Sequence, residues 1–198
     1  MEAKSTKEKI IIESLKLFSR DGFEATSTRT IARSINASDA VIYKHFKSKQ
    51  DILDAIIEMC SQRLLERSTS VDVKSMSWDG VEKICMDMFE FQTTDELIVP
   101  FRKLLLIEQF KNEKLQQLYR EVFIEKPLFH MEKIFSYLIN EGHMKNGNPK
   151  VFAMELYSPF LMFHTYGDIT EEIIQKLKDH VNEFRNNVLL EDKQFNNE

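Results

Sequence analysis

The sequence predicts an all-α protein, on two observations. Gly and Pro number only 5 and 4 among 198 residues, too few breakers for the many tight turns of a sheet protein. Apolar residues recur at helical spacing nearly throughout, without strand-like alternation, internal repeat or low-complexity segment. Hydrophobic residues at 42% and charged residues at 30% are ordinary globular values, which excludes a disordered or fibrous chain.

The elements follow in order. Residues 7–20 read as a helix, with Ile11, Leu15 and Phe18 in one stripe and Asp21-Gly22 as its stop. Thr26, Ser27 and Thr28 are cap candidates for a short helix with Ile31, Ala32 and Ile35 inward. Asn36 breaks that pattern. Ser38 can cap a third short helix, Asp39 to about Phe46, whose apolar residues are Ile42 and Phe46. Two short helices joined by such a turn outline a helix-turn-helix. Ser48 caps a long helix to Arg67, striped by Leu53, Ile56, Ile57, Cys60 and Leu64, and the polar run Ser68–Ser77 reads as a linker.

Helices are expected near 78–94, 98–110, 112–125 and 127–141, with Pro100 and Pro127 in first turns. The turn Lys145-Asn146-Gly147-Asn148-Pro149 opens a helix to about Thr165, kinked at Pro159. The final helix, about 170–190, carries Ile173, Leu177, Val181, Phe184 and Val188 on one face, and Glu191–Glu198 is expected to fray.

The net charge of −5 hides an asymmetry. Residues 1–53 hold 10 Lys/Arg against 7 Asp/Glu, a net of +3, whereas 54–198 hold 17 against 25, a net of −8. Between Thr28 and Lys49 the net is +4. A small basic module on an acidic body can meet phosphate locally without coating itself in nucleic acid. No apolar run reaches the length of a membrane span, and the N-terminus has no signal-peptide stretch, so a cytoplasmic protein is expected. Two cysteines, Cys60 and Cys85, are too few for a disulfide framework and suit a reducing compartment; buried thiols are the stronger reading, a redox pair the weaker.

The residues Ile11-Ile12-Glu13-Ser14-Leu15-Lys16-Leu17-Phe18, Gly22-Phe23 and Ala25-Thr26-Ser27-Thr28-Arg29-Thr30-Ile31-Ala32 form an ordered pattern. It continues in Ser38, in Ile42-Tyr43-Lys44-His45-Phe46 and in Ser48-Lys49-Gln50-Asp51-Ile52-Leu53. This stretch resembles the N-terminal DNA-binding module of the tetracycline-repressor (TetR) family of bacterial transcription regulators. It covers about a quarter of the chain; over the rest only length and a layout of about nine helices resemble the family. The resemblance implies a three-helix helix-turn-helix DNA-binding domain, 1–53, and a larger helical ligand-binding and dimerisation domain, 54–198.

The residues themselves support DNA binding. Ile31, Ile35, Ile42 and Phe46 should form a mini-core with Leu15 and Phe18, leaving one face of residues 38–45 for a major groove. The DNA-binding candidates are Thr28, Arg29, Ser38, Asp39, Ala40, Tyr43, Lys44, His45 and Lys49. Thr28 and Ser38 open helices whose N–H groups suit phosphate. Tyr43 offers a phenol, Lys44 and His45 offer donors, and Lys49 can clamp the DNA backbone. Two positions depart from the family pattern. Asn36 replaces the usual Gly, but tolerates positive φ. Asp39 replaces a polar or basic residue, and can accept from cytosine N4 or favour the helix N-terminus.

The body is rich in Met and Phe. Most of these are expected in the core, while Met86, Phe89, Phe110, Phe123 and Phe163 are candidates for a pocket that takes a small, largely apolar effector. Apolar residues on several sides of 155–164 and the amphipathic last helix predict a homodimer through Phe160, Leu177, Val181 and Phe184; the family's dimerisation through its last two long helices implies the same. His130, His143, His164 and His180 lack zinc spacing, Glu108 and Glu171-Glu172 read as scattered surface acids, and no phosphate loop or nucleophile elbow is present. No metal, cofactor or catalytic residue is assigned. The leading reading is a ligand-responsive regulator, repressing from a pseudo-palindromic operator in double-stranded DNA. A helix-turn-helix interaction protein without promoter regulation, and an enzyme using the helical pocket, are the alternatives.

Overall fold

The computed structural model describes residues 5–67 and 76–190. Local caps set where its helices begin. Helix α1 (Thr6–Asp21) starts at a capping box: Ser5 Oγ accepts from the Glu8 N–H at 3.2 Å, and the Glu8 carboxylate accepts from the Ser5 N–H at 2.8 Å. Helix α2 (Thr28–Ser34) starts at Ser27, whose hydroxyl accepts from the Thr30 N–H. Helix α3 (Asp39–His45) follows. Helix α4 (Lys49–Arg67) has its own reciprocal cap, Ser48 Oγ accepting from the Asp51 N–H and Asp51 Oδ2 from those of Ser48 and Lys47.

The remaining elements are α5 (Trp78–Thr94), α6 (Ile98–Glu108), α7 (Glu113–Arg120), a π-helical turn (Glu121–Glu125), α8 (Lys126–Asn140), α9 (Pro149–Phe163) and α10 (Glu171–Val188). No β-strand occurs among the described residues, only an isolated antiparallel bridge between Met144 and Leu189. The fold is therefore all-α, with a helix-turn-helix first. The helix expected over 112–125 gives way to the π-helical turn in its second half. Helix α9 starts after a cap at Asn148, whose side chain accepts from the Lys150 N–H, and runs on through Pro159. Most of the expected linker, residues 68–75, and the expected fray at 191–198 lie outside the described residues.

The chain divides into two compact units, Met1–Thr69 with Thr94–Tyr119, and Ser70–Thr93 with Arg120–Glu198. That is not the division expected at residue 53. Helices α6 and α7 belong with the N-terminal module because α1 is buried well beyond its Ile11/Leu15/Phe18 stripe. Ile10, Ser14 and Leu17 are buried too, and α6 packs against α1 and α4. Asp95 fixes the start of α6. Its Oδ1 accepts from the Leu97 and Ile98 N–H groups at 3.0 and 3.1 Å, while Oδ2 accepts from Arg63 on α4, the shorter distance being 2.8 Å.

The second unit is built around aromatic contacts. Trp78 lies stacked on Phe135 and Phe184, with centroids 6.5 and 5.9 Å away. Tyr157 donates to the Phe123 carbonyl at 2.8 Å, and His180 Nε2 lies 3.1 Å from the Leu156 carbonyl. Phe160, Leu177, Val181 and Phe184, expected at a dimer seam, all lie buried in this unit's own core. The amphipathic stripe of α10 is thus covered within the subunit, which corrects that assignment.

Two outcomes follow. Phe184→Ala is expected to cost about 3–5 kcal/mol, the usual range for a buried Phe, read as a lower denaturant midpoint in urea unfolding. Burial alone would raise the Asp95 carboxyl, but the Arg63 guanidinium and the Leu97 and Ile98 N–H groups outweigh it and hold the pKa below the usual value. A depressed carboxylate pKa stabilises the fold above its unfolded value, and that stability is lost as pH falls through the folded value. Asp95→Asn should therefore destabilise clearly at pH 7 and progressively less as pH drops below about 4, measured by urea midpoints across that range.

Candidate nucleic-acid interface

The helix-turn-helix is held from beneath. Ile31, Ile42 and Phe46 are buried together with Leu15 and Phe18, while Ile35 is half-buried. The turn depends on Asn36, whose φ of 55° places it in the left-handed region. That conformation closes α2, with the Ala37 N–H donating to the Ala32 carbonyl at 2.8 Å.

With Ile42 turned inward, Asp39, Ala40, Tyr43 and Lys44 are left exposed on α3, and at about 100° per residue they share one side of that helix. Tyr43 is 56% exposed, and its hydroxyl lies 3.5 Å from Thr28 Oγ1, which brings the start of α2 beside that face. Arg29 is exposed in the first turn of α2. Ser38 stands at the N-cap of α3 without a cap hydrogen bond from its side chain. The structure thus brings together Thr28, Asp39, Ala40, Tyr43 and Lys44. His45 is exposed, but lies about 160° round the helix from Tyr43, near the middle of that face, so it projects from the opposite side.

Lys49 has a different setting from the phosphate clamp expected of it. Its ammonium donates to the Phe23 carbonyl at 2.6 Å and to that of Glu24 at 3.3 Å, and it lies 4.3 Å from the centroid of the Phe23 ring. Two of its three donors are occupied inside the protein. Glu108, read from sequence as a surface acid, is only 4% exposed, and its Oε1 accepts from the Phe23 N–H at 2.9 Å. Sequence reasoning missed this residue because its partner lies 85 positions away.

The effector candidates divide. Phe89, Phe123 and Phe163 are buried and Met86 is half-buried in the second unit. There His164, also buried, stacks on Phe89 with centroids 5.3 Å apart. Phe110 is 83% exposed in the turn after α6, so it faces solvent instead of lining an enclosed wall. A cleft of about 530 Å³ opens elsewhere in the second unit, lined by Leu128, Phe129, Ala153 and Met154 with Glu121, Glu125, Lys126, Glu132 and Lys150 around them, and none of the five candidates lines it.

Burial pushes the thiols of Cys60 and Cys85 up to about 12, far from the thiolate state that redox chemistry uses. Among the described residues no group of three or more His, Cys, Asp or Glu could hold a metal ion, and no helix is long and apolar enough to cross a membrane.

Comparison with known proteins bears on the same module. Residues 10–56 match the model of bacterial regulatory proteins of the tetR family. IcaR of Staphylococcus aureus, the negative transcriptional regulator of the biofilm operon icaADBC, is 39% identical over 54 residues, which is 27% of this chain and 29% of IcaR. The chain therefore spans less than a third of that relative's length. YttP of Bacillus subtilis, a probable helix-turn-helix transcriptional regulator, is 26% identical over 144 residues, 71% of this chain and 61% of YttP. The structure of SmeT, repressor of the Stenotrophomonas maltophilia multidrug efflux pump SmeDEF, superposes with a TM-score of 0.64 at 20% identity, covering 95% of this chain and 92% of SmeT. The helix-turn-helix with its Asn36 turn and the match across residues 10–56 converge on one module: residues 10–56 are similar to the N-terminal module of bacterial regulatory proteins of the tetR family, and the fold of the whole chain is similar to that of SmeT.

Proposed function

We propose that the chain is a transcriptional repressor that binds operator DNA as a homodimer and is released by a small, largely apolar effector. The observation that carries this reading is the exposed face of α3, Asp39, Ala40, Tyr43 and Lys44, beside Thr28 at the start of α2. A major groove about 12 Å wide admits one helix presented in this way. The net charge of +4 over residues 28–49, against −8 for residues 54–198, supports phosphate contact confined to this face. IcaR as a negative regulator and SmeT as a repressor support repression over activation.

For the effector, the support is the cluster of Phe89, Phe123, Phe160 and His164 with Met86 at its edge. Aromatic and Met side chains suit an apolar guest. Coupling of about 2.7 kcal/mol between effector and DNA suffices for a 100-fold loss of affinity.

For the second copy, the surface that fits is on α8 and α9 and not on α10. Val151, Met154, Ser158 and Met162 recur at helical spacing, with Met154 56% and Met162 50% exposed. Phe129 is also exposed, and with Met154 it lines the apolar floor of the 530 Å³ cleft. A stripe of that kind is stabilised by an isologous contact.

Two measurements test the reading. Tyr43→Ala should cost about 1–3 kcal/mol of specific binding, and Lys44→Ala should weaken binding to all sequences and reduce the salt slope by about 1. Lys49→Ala, whose charge is largely engaged within the protein, should leave that slope nearly unchanged. Duplex binding with no salt dependence in the wild type would favour the interaction-protein alternative. Met154→Glu combined with Met162→Glu should give a folded monomer by light scattering; a wild type already monomeric at micromolar concentration would remove the dimer.

A further inference from the structure

We propose that Glu108 is a positioning residue for DNA binding, tying α6 to the turn that aims the helix-turn-helix. The proposal rests on the DNA-binding reading above. Glu108 is the last residue of α6 and is buried. A buried carboxylate is costly unless hydrogen-bonded, and here Oε1 accepts the Phe23 N–H. Phe23 is held from its other side, because its carbonyl accepts from the Lys49 ammonium of α4. The Phe23 ring in turn packs edge-on against Phe18 of α1, with centroids 5.1 Å apart.

The turn has little slack. Gly22 takes φ +90°, and a Cβ built there would stand 3.2 Å from Glu108 Oε1. Thr26 Oγ1 donates to the Gly22 carbonyl at 2.9 Å. Residues 22–27 lead directly into α2, and α2 and α3 are only seven residues each. Helices this short are oriented by their attachments more than by their own length. A charge-assisted bond from α6 to this turn is therefore a direct handle on α3. Without the acceptor, the Phe23 N–H is left unpaired and the module samples orientations that do not fit the groove. The apparent Kd then rises by the inverse of the competent fraction.

The test uses the full chain and a duplex enriched by the wild type from a random-sequence pool. Glu108→Leu removes the acceptor while keeping bulk, and Glu108→Gln keeps an acceptor oxygen. Leu104→Ala, buried one turn earlier on the same helix, removes core packing while leaving the Glu108 acceptor in place. At a temperature where circular dichroism shows every variant folded, Glu108→Leu should bind about tenfold more weakly. Glu108→Gln should stay within about twofold of wild type, and Leu104→Ala should lower Tm without moving Kd. Exchange of the Phe23 amide, read by NMR, should be slow in the wild type and Glu108→Gln and fast in Glu108→Leu. If Glu108→Leu does not fold, Gly22→Ala strains the same junction and should weaken binding likewise. Wild-type affinity in Glu108→Leu, or an equal loss in Leu104→Ala, overturns the proposal. Failure to enrich any duplex removes the DNA-binding reading and this proposal with it, whereas a fast-exchanging Phe23 amide in the wild type removes the tie alone.

Discussion

Helix α1 has to be covered on more than one side, and much of the first unit follows from that requirement. Its buried set, Ile10, Ile11, Ser14, Leu15, Leu17 and Phe18, is too broad for one neighbour. Helices α2, α4 and α6 all pack against it. The first two come from the adjacent sequence; α6 is brought back from residues 98–108. Once α6 lies there, its terminal carboxylate meets the turn after α1, and Asp95 at its other end meets Arg63 of α4. The exposed residues of α3 thus sit on a platform whose far edge is assembled from distant sequence.

What was legible in the sequence was local. Caps, stops and stripes are decided within a turn or two of helix, so the starts at Ser27, Ser38 and Ser48 and the left-handed Asn36 could be read directly. The exposed face of α3 followed from the inward pair Ile42 and Phe46. The amphipathic stripe of α10 was legible as a stripe, but periodicity does not say whether the same chain or a second copy covers it. Here Trp78 and Phe135 cover Phe184. Phe110 looked like a pocket residue by composition alone, and nothing in its neighbourhood signals that it closes α6 on the solvent side.

Charge shows the same divide between local and distant. Lys49 and Glu108 are ordinary surface residues by type. Each becomes committed through the backbone of one residue, Phe23, which neither adjoins in sequence. The exposed ion pairs Lys16–Glu13, Lys83–Asp87 and Lys176–Glu172 are, by contrast, readable from helical spacing, and pairs of that kind contribute little to stability. The groups that matter for orientation are the ones that sequence spacing cannot pair.

The discontinuity of the first unit also has a consequence for the order of events during synthesis. Its two parts, up to Thr69 and from Thr94 to Tyr119, are separated by a segment that belongs elsewhere. A nascent chain that has just exposed α3 holds an α1 with its α6 side still open to water. Closing the intervening loop costs entropy that grows only slowly with its length, but the return cannot happen before α6 has emerged from the ribosome. The support beneath the helix-turn-helix is therefore completed late, after more than half of the polypeptide has been made, although every residue on the exposed face of α3 is among the first to be translated.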